Sequence, residues 1–301
     1  MHLSFTLYRY FDNGGHFQDA LTLYTAIRDA ADPDSVDRSY ALCARTHTLV
    51  RLGRYDEAIH DADEALRNSP EDFLVKYSGC TDLGIIHEYR GEHDQAVACY
   101  LDAIAASQAA GHRVNLGNAL NNLGDLYREL GRYAEADDHL RRSLAIAEEA
   151  GATGLAATAL TGLGELEQAQ GHHHDARTYY ARALDLVRTW GNRSVEAELL
   201  NCLAAAAPDR RESLAQHQEA LRLARDTHSA LEQARAHDAL ARLHHGLGEL
   251  VLSRRHATCA LRLYTALKSP HADAVEEFIA SALDHTVRIG GAPASRRSGG
   301  P

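Results

Sequence analysis

Glycine punctuates this chain at Gly15, Gly53, Gly91, Gly131, Gly171 and Gly248, and the first four intervals are 38, 38, 40 and 40 residues. Each of these glycines interrupts a stretch that otherwise reads as helix. There glycine costs roughly 1 kcal/mol relative to alanine, so it persists only where the chain must turn. Twelve positions after successive turns stand Ile27, Ala65, Ala103, Ser143, Ala183 and Ala260, mostly small residues that let two helices approach closely. The 77 residues between Gly171 and Gly248 leave room for one further unit whose turn has lost its glycine. Seven antiparallel helix pairs are expected. A period of roughly 20–50 residues means a stacked array, in which each pair buries its apolar face only against its neighbours.

Within the fourth unit, Leu120, Leu123, Gly124 and Tyr127 share one face of the first helix, and Ala136, Leu140 and Ser143 mark the facing side of the second. The sixth unit is shorter: Leu203 to Ala220 spans 17 residues, where Leu123 to Ser143 spans 20. Its turn contains Pro208, which removes a helical hydrogen bond, so the first helix should end near Ala207 and leave the array weakest there. A last helix near His271 to Leu283 should cover the final pair.

The pattern Leu123, Gly124, Tyr127, Gly131, Tyr133, Ala136, Ser143 resembles the tetratricopeptide repeat, and Pro70 sits where that repeat usually ends. The resemblance implies an all-α, right-handed superhelix of about seven pairs with a C-terminal capping helix over residues 1–285. Units of 38 to 40 residues exceed the usual length of about 34 and look like the lengthened form in kinesin light chains, bacterial peptide-sensing regulators and actinobacterial regulators. The phrases "YRYFDNGGHFQDALTLYTAIRDAAD" and "CALRLYTALKSPHADAVEEFIASAL" are similar to the two ends of the repeat array of actinobacterial antibiotic regulatory proteins. That likeness implies an interaction and sensing module of a transcriptional regulator of secondary metabolism. A free-standing adaptor and an enzyme on a repeat scaffold are the alternatives.

Only Lys76 and Lys268 are lysine among 31 basic residues, and the alanine excess beside so much arginine suggests a GC-rich genome. The formal charge of -11 repels phosphate, so direct binding of nucleic acid is not expected. No run approaches the roughly 20 apolar residues of a membrane span, and the start carries no leader pattern, which reads as a cytoplasmic protein. Cys43, Cys80, Cys99, Cys202 and Cys259 form no CxxC pair and read as free, mostly apolar thiols. His172, His173 and His174 occupy a turn and point apart, so no metal is expected there. No phosphate loop, nucleophile elbow or HExxH appears, and no cofactor or active site is expected. The carboxylates of "RYDEAIHDADEALR" read as a solvated face with intrahelical pairs. The chain begins almost directly in a helix bearing Tyr8 and Phe11, with no polar cap. This suggests a neighbour there, either a preceding regulatory domain or the mate of a homodimer. The Gly/Ser/Pro segment 286–301 reads as disordered.

A second stripe on each first helix, spaced i, i+3, i+7, i+10, should line the concave side. It runs Tyr40, Cys43, His47, Val50; Ser78, Thr81, Ile85, Glu88; Asn118, Asn121, Asp125, Arg128; Thr158, Thr161, Glu165, Gln168; Glu198, Asn201, Ala205; and Arg235, Asp238, Arg242, His245. The stripe is polar and mixed in sign. Asparagine both donates and accepts, so Asn121, Asn122 and Asn201 are placed to bracket the backbone of a peptide. The expected contact set is Asn118, Asn121, Asn122, Asp125, Arg128, Thr161, Glu165, Asn201, Arg235, Asp238 and Arg242, around a peptide or partner protein segment.

Overall fold

The computed structural model describes residues 16–283, and they are all-helical. The helices are α1 (Phe17–Ala30), α2 (Val36–Arg51), α3 (Tyr55–Asn68), α4 (Phe73–Tyr89), α5 (His93–Ala109), α6 (Arg113–Glu129), α7 (Tyr133–Ala150) and α8 (Thr153–Ala169). They continue as α9 (His173–Trp190), α10 (Arg193–Ala205), α11 (Arg210–Asp226), α12 (Ala230–Gly246), α13 (Leu250–Ala266) and α14 (His271–Phe278). Consecutive helices pack as antiparallel pairs, α2 on α3, α4 on α5, α6 on α7, α10 on α11 and α12 on α13. The helix expected before Gly15, with Tyr8 and Phe11, and the segment 286–301 lie outside the described residues. The chain divides into two compact units, one ending at Gly162 and one beginning at Leu163.

The turns follow from hydrogen-bond bookkeeping at helix ends. At Gly131 the backbone takes a φ of 72°, and this left-handed residue lets Arg132 N donate to Tyr127 O at 2.8 Å while Gly131 N donates to Arg128 O at 3.0 Å, capping two carbonyls that the helix leaves open. The same left-handed conformation recurs every 20 residues at Gly91, Gly111, Gly131, Gly151, Gly171 and Gly191. Turns between units therefore use the same device as turns within them. From Gly191 to His228 is 37 residues, three short of two such steps, after which His228, Gly248 and Lys268 resume the step of 20. The three missing residues belong to the sixth unit. Its first helix, α10, has 13 residues against 17 in α12 and stops at Ala205, two residues before the expected point. Without a glycine, that turn relies on Asp209, whose carboxylate accepts from Arg211 N and Glu212 N at 2.9 Å, and on Ser213 Oγ, which donates to Ala204 O at 2.8 Å.

Packing at the helix crossings explains the small residues. A Cβ added to Gly84 would sit 2.5 Å from the Tyr100 ring, and one on Gly164 would sit 2.5 Å from Tyr180. Each tyrosine lies flat on bare backbone and sends its hydroxyl past the crossing, to Glu88 Oε2 or to Gln168 Oε1, both at 3.0 Å. In the intervening pair Leu140 fills the place of the ring against Gly124, and Ser143 Oγ donates to Gly117 O at 2.8 Å. At the C-terminal end, Val275 of α14 is buried against Ala234, Ala241, Ala257, Ala260 and Tyr264, and the helix relaxes into a π-turn over Ile279–Leu283. The last pair is covered as expected.

One surface expectation is corrected. Arg54 does pair with Glu57 on its own helix, but Asp61 is only 2% exposed and bonds Arg45 of α2. Glu57 stands three residues from Arg54, whereas Asp61 has no arginine three or four residues away on its own helix and takes its cation from α2 instead.

Candidate functional site

In the first unit the stripe lies on α2, α4, α6 and the start of α8, and it is not uniformly open. Cys43, Val50 and Asn121 are buried, whereas Asn118, Asn122, Asp125, Arg128 and Thr161 remain half-buried. A stripe drawn at i, i+3, i+7 straddles the open face and the face turned to the next first helix. Asn121 falls on the packed side at 3% exposure and donates to Asp125 Oδ2 at 2.9 Å. Arg128 Nε stands 3.9 Å from the other oxygen of Asp125. Polar groups also run toward α2: His47 Nδ1 lies 3.2 Å from Oδ1 of the buried Asp82, and the Tyr40 hydroxyl donates to Asp72 Oδ2 at 2.9 Å. Burial raises the Glu88 carboxyl, its bond from Tyr100 opposes the shift, and Arg128 and Glu129 on α6 act on it in opposite directions. Thr161 spends its hydroxyl on Ala157 O at 2.9 Å.

In the second unit the structure corrects the role expected of Asn201. It is 6% exposed, its amide donates to Glu232 Oε2 at 2.9 Å and to Glu232 O at 3.2 Å, and its carbonyl oxygen meets His217 Nδ1 at 2.9 Å. All of its bonding capacity in these contacts ties α10 to α11 and α12. Glu232 in turn accepts from Arg235 NH1 at 2.9 Å. Beside this network Glu198 is half-buried and makes no hydrogen bond or ion pair among the described residues. Its carboxyl is pushed up to about 7, first by burial and then by the Glu232 charge, with Glu165 adding and Arg235 opposing. Three carboxyls thus gather around one guanidinium. Farther along α12, Arg242 donates to Asp238 Oδ1 at 2.8 Å and lies 4.9 Å over the Phe278 ring.

Sequence reasoning placed Glu198 on the stripe but gave it no role, and it missed Glu232, which reads as an ordinary i, i+3 partner of Arg235. The register carried no signal for Glu232, which stands 31 residues after Asn201, whereas equivalent positions of these two units lie 37 apart. Among the described residues no group of three or more His, Cys, Asp or Glu is placed to hold a metal ion, and no helix is long and apolar enough to cross a membrane. What the surface offers is hydrogen-bond acceptors and carboxylates on half-open helix faces.

Comparison with known proteins fits this geometry. Models of the tetratricopeptide repeat match residues 77–149 and residues 156–189. The Cell division cycle protein 16 homolog of Homo sapiens is 35% identical over 83 residues, a stretch that takes in 27% of this chain and 13% of that protein. The apo form of RapI superposes with a TM-score of 0.67 at 15% identity, covering 89% of this chain and 98% of that one. A Rap protein complexed with Competence and Sporulation Factor gives a TM-score of 0.67 at 11% identity, covering 88% and 76%. At such identities these two likenesses speak for the fold alone. The chain carries tetratricopeptide repeats over residues 77–149 and 156–189, and its helix pairs extend the same architecture on either side.

Proposed function

We propose that this protein is a binding scaffold whose first-helix faces hold a segment of a peptide or partner protein, and that the segment is rich in hydrogen-bond donors and positive charge. The observation that carries the reading is Glu198, a half-buried carboxyl without a hydrogen bond or ion pair among the described residues beside Glu165 and Glu232, where a lysine, an arginine or a chain of backbone N–H groups would relieve the repulsion. In the first unit the contact residues are Asn118, Asn122, Asp125, Arg128 and Thr161; in the second they are Glu165, Glu198, Arg235, Asp238 and Arg242. Asn121 and Asn201 act beneath that surface by fixing Asp125 and Glu232. A Rap protein of the same fold, solved with a bound factor, supports the general mode.

The finer reading places this scaffold in an actinobacterial transcriptional regulator of secondary metabolism, coupled to an attached or partner regulatory domain. It rests on the likeness of the two terminal phrases and on the arginine-rich composition. Five free cysteines favour a reducing cytoplasm. The test is affinity capture from the source organism with wild type, with Asn118→Ala plus Arg128→Ala, and with Glu198→Gln plus Glu165→Gln. A specific partner lost from either variant supports the assignment. Partners retained equally by all three proteins rule these faces out.

A further inference from the structure

A second surface differs in kind from the polar stripe. In a chain of formal charge -11, α13 has the sequence LVLSRRHATCALRLYTA, with three arginines and no aspartate or glutamate, and no other described α-helix lacks an acidic residue. Its buried side is Ser253, Ala257, Ala260 and Tyr264. At about 100° per residue, Val251, Arg255 and Arg262 fall together on the opposite side. All three are exposed, Val251 at 84%, the most exposed large apolar side chain among the described residues.

Several exposed arginines elsewhere are tied down, Arg132 to Glu135, Arg141 to Asp137, Arg222 to Glu219 and Asp226, whereas Arg67 and Arg211 are exposed without an ion pair among the described residues but stand on helices that carry acidic residues. Arg255 and Arg262, and Arg225 of the adjoining α11, make no ion pair among the described residues. Their field is nevertheless felt inside the pair. His237 is pushed down to about 4 by burial and by His256, and Arg225, Arg262 and Arg255 all push the same way. His256 is lowered as well, by burial, His244, Arg255 and Arg225.

We propose that the outer face of α13 docks an acidic segment of a partner protein, with carboxylates meeting Arg255 and Arg262 and an aliphatic side chain covering Val251. The two arginines are seven residues apart, about 10.5 Å along the helix, so the partner needs carboxylates at that separation, as on a helix with acids two turns apart. Exposed valine beside unpaired guanidinium groups favours a protein over nucleic acid, because no exposed aromatic ring on α13 offers a stacking platform. This surface does not depend on the first-helix stripe.

The test uses the full chain and a fluorescein-labelled helical peptide bearing glutamates two turns apart and a leucine one turn before the first. Its counterpart carries lysine in place of glutamate. Wild type should bind the acidic peptide, and Arg255→Gln plus Arg262→Gln should weaken it at least tenfold and flatten its salt dependence. Val251→Ser should weaken it severalfold with the salt dependence unchanged, and all variants should keep the wild-type circular dichroism. Equal binding of both peptides, or equal binding by wild type and variants, overturns the proposal. Tighter binding of duplex DNA or of phosphatidylglycerol vesicles than of the acidic peptide, lost in the arginine variant, overturns the assignment to a protein segment.

Discussion

Replacing Gly84 by alanine tests whether the helix crossing, rather than helix propensity, dictates sequence at that position. On an isolated helix the change should stabilise by roughly 1 kcal/mol. In this fold the new Cβ would stand 2.5, 2.7 and 2.9 Å from Cε1, Cδ1 and Cζ of Tyr100, where carbons ordinarily rest about 3.5–4.0 Å apart. The ring must therefore retreat by about 1 Å. It has nowhere open to go, being 1% exposed, and its hydroxyl is held 3.0 Å from Glu88 Oε2. Overpacking of this kind costs about 1–3 kcal/mol, and stretching the bond to a carboxylate adds about 1 kcal/mol or more. Set against the propensity gain, Gly84→Ala should destabilise the fold by about 1–3 kcal/mol. The assay is urea denaturation followed by far-UV circular dichroism, run as a double-mutant cycle with Tyr100→Ala. With the ring removed, Gly84→Ala should turn neutral or stabilising, a coupling of about 2 kcal/mol. Stabilisation by Gly84→Ala in the wild-type background would refute the reasoning.

His228 and Lys268 adopt φ of 57° and 52° where the register elsewhere places glycine, so His228→Gly and Lys268→Gly should each stabilise by about 1 kcal/mol in thermal or chemical unfolding. His217 is held neutral by burial with its pKa pushed down to about 4, so its contribution is intact above the unfolded value near 6.5 and is lost as pH falls from there toward 4. Urea titrations should show a loss on the order of 2 kcal/mol from this group by pH 5, and His217→Gln should flatten that slope. Arg45→Met leaves Asp61 buried without its cation and should cost about 3–5 kcal/mol, whereas Arg45→Met with Asp61→Leu should recover most of it; a double variant as unstable as the single one would contradict the pairing.

Helix number and pairing were legible in the chain because a left-handed turn needs a residue without a side chain, and that requirement is local. Gly53, Gly91, Gly131, Gly171 and Gly248 announced their turns, and Pro208 with the three-residue deficit announced the short α10. The turns at Gly111, Gly151 and Gly191 obeyed the same rule and went unread only because the unit, not the single helix, was taken as the period. The face each polar residue serves was not legible. Asn118 and Asn121 are separated by one turn of the same helix, yet one is half open and the other 3% exposed. Asp61 and Asn201 likewise look like surface residues until α2 and α12 are set beside them. Neighbouring positions on a helix differ by about 100° in direction, and whether that rotation points to solvent or to a packed neighbour depends on the offset of the next helix. That offset is fixed by side-chain packing at crossings such as Gly84 on Tyr100, which only the assembled helices define.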